Sequence, residues 1–96
     1  MSDGTGSVTN CSLETAARLV RLPPAHVRRY VRAGLVRPAW IQGRETLFGD
    51  AELARLRRIR RLRDDLGLNT AGLEVVLRLL DEIQTLRAAL AQRGNA

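Results

Sequence analysis

Pro23 and Pro24 at one end, and Gly34 and Pro38 at the other, fence off a stretch too short for anything but one small helix. A proline lacks the amide proton that a helix interior needs, yet its fixed backbone angle suits a first turn. A glycine takes the left-handed stop that ends a helix. The fence therefore predicts a helix over Pro24–Ala33, with Val27, Tyr30 and Val31 facing inward. Upstream, Ser12 is a natural N-cap, because its hydroxyl can accept from the orphan amides of the next turn. Leu13, Ala16, Ala17 and Val20 then fall on one face of a helix over Leu13–Val20. Two short helices meeting at a tight turn make a bihelical corner, and Leu35 and Val36 return the chain to its core.

Beyond Pro38 the periodicity changes. Trp40, Ile41, Leu47 and Phe48 flank the polar turn Gln42-Gly43-Arg44-Glu45, which reads as a small hairpin too short to be a sheet in its own right. Asp50 is expected to cap a third helix ending at Gly67. Its apolar positions are Leu53, Leu56, Ile59, Leu62 and Leu66, and its remainder is rich in arginine (Arg55, Arg57, Arg58, Arg60, Arg61, Arg63). Asn69 or Thr70 can cap a fourth, long helix reaching about Gln92. Leu73, Val76, Leu80, Ile83 and Leu90 follow a near-heptad spacing, widened by Leu77 and Leu86 and interrupted on the seam by Arg87. Residues 1–11, rich in Gly, Ser and Thr, read as a disordered tail, 12–93 as a single domain, and 94–96 as a second tail.

Charge sets the surfaces apart. The chain has 96 residues and a formal charge of +6, and all sixteen basic residues are arginine. Thirteen of them lie between Arg18 and Arg63 against Glu45, Asp50 and Glu52, whereas the stretch from Asp64 onward has five acids against three arginines. A basic half and a mildly acidic half suggest two surfaces with different partners. Solvated arginine faces produced by codon bias are the plainer alternative. Cys11 is the only cysteine, so neither an internal disulfide nor a cysteine-built metal cage can form. No apolar run is long enough for a bilayer, and residues 1–10 lack the basic start and apolar stretch of a secretion signal. A cytoplasmic protein that binds no membrane is expected.

The residues Ser12-Leu13-Glu14-Thr15-Ala16-Ala17-Arg18-Leu19 and Val27-Arg28-Arg29-Tyr30-Val31-Arg32-Ala33-Gly34-Leu35-Val36-Arg37-Pro38 resemble the start of a MerR-type winged helix-turn-helix domain. Phe48–Leu66 is similar to the end of the wing and the helix that follows. Leu66-Gly67-Leu68-Asn69-Thr70-Ala71-Gly72-Leu73, followed by Leu79-Leu80-Asp81-Glu82-Ile83, looks most like the chaperone-modulator (CbpM-like) branch. A heat-shock-repressor branch has something similar. The resemblance covers about residues 12–90 and implies an all-α fold: four helices with a small wing, the last helix long. The CbpM-like branch implies binding to the J-domain of a DnaJ-like, CbpA-type co-chaperone and restraint of its work with Hsp70. The superfamily at large implies a dimeric DNA-binding transcription regulator, and this is the alternative reading. A regulator touching both DNA and a chaperone would combine the two.

Each reading has its residues. For DNA, His26, Arg28, Arg29 and Arg32 are expected to be exposed on the second helix, where arginines can pair with guanine edges or clamp phosphates. The superfamily motif places Arg28 where a backbone-contacting arginine is usual, and Tyr30 where a tyrosine is usual. Packing of Tyr30 in the core is the plainer reading. DNA-binding relatives usually carry an arginine two residues before the wing's last aromatic, but Thr46 stands there, leaving Arg44 to substitute from the turn. For a protein partner or a homodimer, the candidates are Leu80, Asp81, Glu82, Ile83, Leu86 and Leu90 on the last helix. Ile83, Leu86 and Leu90 extend past what the domain can cover, and Asp81 and Glu82 could meet a basic partner. No catalytic constellation, metal ligand set or cofactor motif is found. His26 is a lone histidine, and the acid pairs Asp64-Asp65 and Asp81-Glu82 point about 100° apart on a helix. An enzyme is not expected.

Overall fold

The computed structural model describes residues 10–94. In order, the elements are β1 (Cys11–Ser12), α1 (Leu13–Val20), α2 (Pro24–Arg32), β2 (Trp40–Gln42), β3 (Glu45–Phe48), α3 (Asp50–Leu66) and α4 (Thr70–Gly94). Four helices and a small wing thus make up the fold, as the sequence implies.

The corner is built as its punctuation requires. Ser12 caps α1 by accepting from the Thr15 amide at 3.2 Å. The helix ends on Arg21, which sits in the left-handed region at φ 62°, and the Leu22 amide reaches back to the Ala17 carbonyl at 2.9 Å. This closure is the one glycine usually supplies, and nothing in the sequence marks it. Pro23 and Pro24 then open α2, and Gly34 takes φ 78° just beyond the Ala33 cap. The Leu35 amide returns to the Tyr30 carbonyl at 2.9 Å, turning Leu35 and Val36 into the core.

The wing departs from expectation. The β2–β3 hairpin is present, with Gln42 opposite Glu45 and a two-residue turn of Gly43 and Arg44. Gly43 has φ 62° and Arg44 does not share a positive φ, which is the type II′ pattern that matches the strand twist. The hairpin is not alone, however. β1 pairs antiparallel with β3, Cys11 opposite Phe48, giving a three-stranded sheet in the order β1-β3-β2. Cys11, read as the end of a tail, is therefore a strand residue, half-buried against the core, and its burial raises the thiol pKa. Residues 1–9 of that tail lie outside the described residues, as do 95 and 96 of the second tail. Gly94, assigned to that second tail, is helical.

The start of α3 is a second correction. Asp50 is the first helical residue, not the cap. Gly49 is the cap, its amide donating to Glu52 Oε1 at 2.8 Å. A Cβ at Gly49 would come within 3.0 Å of Asn10 Oδ1 and 3.2 Å of Glu52 Oε1, both ends of side chains that can give way. Asn69, of the two candidates, caps α4 by accepting from the Gly72 amide at 2.8 Å.

One core joins these pieces. Ala16, Ala17, Val20, Val27, Tyr30, Phe48, Leu53, Leu56, Ile59, Leu73 and Leu77 are all buried in it. Leu66, expected on the apolar stripe of α3, is 64% exposed because the helix has run past the body by then. On α4, Leu73 and Leu77 are buried and Val76 and Leu80 half-buried, while Ile83, Leu86 and Leu90 are exposed, so the apolar stripe is covered only over its N-terminal part.

Candidate nucleic-acid interface

The second helix presents its arginines outward because Val27 and Tyr30 hold the opposite face in the core. Arg28, Arg29 and Arg32 are exposed, as are Arg18 and Arg21 on α1 and its cap. Arg28 of α2 and Arg44 of the wing turn line one shallow depression of about 210 Å3, together with Ser12, Thr46 and Glu45. Two elements far apart in sequence thus offer guanidinium groups around one hollow. Glu14 also lines it and accepts from Arg28 at 3.3 Å. Both partners of that bridge are largely exposed, so it restrains Arg28 only weakly.

Tyr30 and His26 stand differently. Tyr30 is 2% exposed, so its ring serves the core rather than a partner, correcting its place among the contact residues. His26 is half-buried, and its Nδ1 lies 2.7 Å from Arg63 Nη1. A guanidinium can only donate, so Nδ1 accepts and the imidazole proton resides on Nε2. Partial burial, then the charges of Arg63 and Arg29, hold the imidazole pKa below its ordinary 6.5. Arg63 in turn lies against the Tyr30 hydroxyl and within 3.4 Å of Asp64, and both favour its charged form.

The arginines of α3 divide into two sets that the sequence does not separate. Arg57, Arg58 and Arg61 are exposed. Arg55, Arg60 and Arg63 are half-buried and tie α3 to its neighbours. Arg60 donates to the Val20 carbonyl at the end of α1 at 3.1 Å, and Arg55 donates to the Leu35 carbonyl at 2.8 Å. Arg55 and Arg60, five residues and so about 140° apart on the helix, reach different neighbours, and Arg63 lies between them, so helical spacing alone does not mark the set.

The late-helix candidates form a separate surface. Arg55 grips both carboxylate oxygens of Asp81 and so lowers its pKa. Asp81, expected to meet a basic partner, is engaged within its own chain. Glu82 is exposed, and Leu80 is half-buried. Asp81, Glu82 and Leu86 line an open groove of about 690 Å3 that also takes in Leu35 and Leu77. Ile83, Leu86 and Leu90 are 44%, 63% and 64% exposed. Val75 and Leu79, not singled out from the sequence, are exposed as well.

Among the described residues no group of His, Cys, Asp and Glu is arranged to hold a metal ion, and no helix is long and apolar enough to cross a membrane.

Comparison with known proteins supplies the kinship. The chain is 32% identical over 84 residues to a Streptomyces coelicolor protein described as heat shock protein HspR. The match takes in 88% of this chain and 56% of that relative, so the chain spans little more than half the relative's length. Residues 11–93 match the family described as MerR HTH family regulatory protein. Neither match singles out the chaperone-modulator branch. With the bihelical corner, the wing and the long last helix in place, the chain belongs to the MerR family of helix-turn-helix regulatory proteins.

Proposed function

We propose that the chain acts as a dimeric, DNA-binding transcription regulator of the heat-shock-repressor kind. The observation that carries the reading is the convergence of Arg28 on α2 and Arg44 on the wing around one hollow, with Arg29 and Arg32 exposed alongside. Such a surface suits a phosphate backbone, and α2 is short enough to enter a major groove. Kinship with a heat shock protein adds the physiological setting. Arg44, reaching from the turn, stands in for the arginine absent at position 46. Dimerisation is assigned to α4, whose Leu79, Ile83, Leu86 and Leu90 are left uncovered by the described residues.

The chaperone-modulator reading has less behind it. Its acidic contact is weakened by the engagement of Asp81 with Arg55, and the relative found is a heat shock protein.

Fluorescence anisotropy with a labelled duplex tests the proposal. Affinity should fall steeply with salt as counterions are released. Arg28→Ala with Arg29→Ala should weaken binding at moderate salt and reduce the salt slope by about one for each phosphate no longer engaged. An unchanged isotherm would sink the DNA reading. Capture of a J-domain by a chain that binds no duplex would restore the chaperone-modulator one.

A further inference from the structure

We infer that Arg63 is a positioning residue for the recognition helix, fixing His26 as a neutral hydrogen-bond donor, through Nε2–H, to an acceptor atom on duplex DNA. This rests on the DNA-binding reading above. Arg63 belongs to α3 and faces α2 across the corner. Its Nη1 donates to His26 Nδ1 at 2.7 Å, and since a guanidinium has no acceptor the imidazole must take the tautomer with its proton on Nε2. Nδ1 is thereby occupied, and Nε2–H is the polar group His26 has left to offer.

The surroundings keep the ring in that state. Among the described residues, the charged and titratable groups facing it are Arg63 from α3, and Arg29 and Tyr30 from α2. The Tyr30 ring lies 6.4 Å from the imidazole, tilted by 56°. Both arginines are positive and oppose a second proton on the imidazole. Asp64, at 3.4 Å from Arg63 Nε, and the Tyr30 hydroxyl steady Arg63. His26 stands near the start of α2, beside the exposed Arg28 and Arg29. The N-terminal residues of a recognition helix are those that meet base edges. A neutral donor there suits a phosphate oxygen or a purine N7 or O6, and it contributes no counterion release of its own.

His26 is the only histidine, so one imidazole signal reports on it. Long-range proton–nitrogen correlation spectra of the untagged full chain should show the Nε2–H tautomer and a titration midpoint below 6.5. Arg63→Ala should move that midpoint up and mix the tautomers, and Arg63→Lys should partly restore both. Duplex binding is then measured at pH 8, with a random-sequence 20-mer and with a duplex selected by the wild-type chain. Arg63→Ala and His26→Ala should each weaken binding roughly threefold, the double variant no more than either alone, with the salt slope unchanged. A loss shared by both duplexes places the acceptor on a phosphate. A loss confined to the selected one places it on a base.

An Nδ1–H tautomer, a midpoint unmoved by Arg63→Ala, or additive losses in the double variant would overturn the inference while leaving the DNA reading intact. A wild-type chain that binds neither duplex at about 50 mM salt overturns the DNA reading, and this inference with it, even if the spectra show the Arg63–His26 bond.

Discussion

The guanidinium of Arg55 holds both oxygens of Asp81, at 2.7 and 3.1 Å, while its Nε donates to the Leu35 carbonyl at 2.8 Å. One side chain on α3 thereby joins the loop that ends the corner to the long final helix. A fork on a carboxylate with a carbonyl on its third edge uses most of what a guanidinium offers. The Arg55 side chain is 27% exposed and that of Asp81 54%, so water screens the charge–charge part.

Removing this link should be measurable by denaturant unfolding. Arg55→Ala is expected to cost about 1–2 kcal/mol, because it also strands the Leu35 carbonyl. Asp81→Asn should cost less, about 0.5–1 kcal/mol. In a double-mutant cycle the pair should show a positive coupling. Strict additivity would mean that the two side chains do not hold each other in solution.

Acid should weaken the fold in two stages. His26 has a folded-state pKa below its ordinary 6.5, so its contribution is fully present above 6.5 and is lost as the pH falls through the folded value. Asp81 is also shifted downward, so its contribution is present above 3.8 and disappears as the pH falls below that. Thermal melts between pH 8 and 3 should show both declines. Arg63→Ala should shrink the upper one, leaving the part due to burial and Arg29, and Asp81→Asn should flatten the lower.

Arg21 and Gly34 both hold left-handed backbone, at φ 62° and 78°, but only Gly34 suits it. Gly34→Ala meets no neighbour, so its cost, about 1 kcal/mol, is conformational alone. Arg21→Gly relieves a strained residue and should stabilise the chain by up to about 1 kcal/mol, less whatever the freer unfolded chain takes back. A fall in melting temperature for Arg21→Gly would contradict this.

Leu86 and Leu90 should separate association from folding. Both are well exposed in the single chain, so replacing them with Glu should alter monomer stability by no more than about 0.5 kcal/mol. Sedimentation of the wild type should show a dimer, and that of the double variant a monomer. By contrast, Leu56→Ala in the filled core should cost about 3–5 kcal/mol.

Much of this architecture is legible from residue order because local rules suffice. Ser12, Pro24, Gly34 and Asn69 mark helix ends through hydrogen bonds and backbone angles that reach only a few residues along the chain. Features that depend on distant residues are not marked. Nothing near Cys11 announces that it pairs with Phe48, and the arginines of α3 look alike until the corner lies against Arg55, Arg60 and Arg63. Asp50 is a better cap by type than Gly49, yet the reach of Glu52 to the Gly49 amide decides otherwise. At the candidate interface, Arg28, Arg29, Arg32 and Arg44 are readable as surface. The inward turn of His26 toward Arg63, and the engagement of Asp81, are not.

The pairing of Cys11 with Phe48 makes residues 11–12 a seam of the wing. A fusion partner attached just upstream, or a protease cut between Asn10 and Ser12, would tug on the edge that steadies β3. Arg44 lines the same hollow as Ser12, so trimming the front of this domain amounts to editing the rim of its arginine-lined depression.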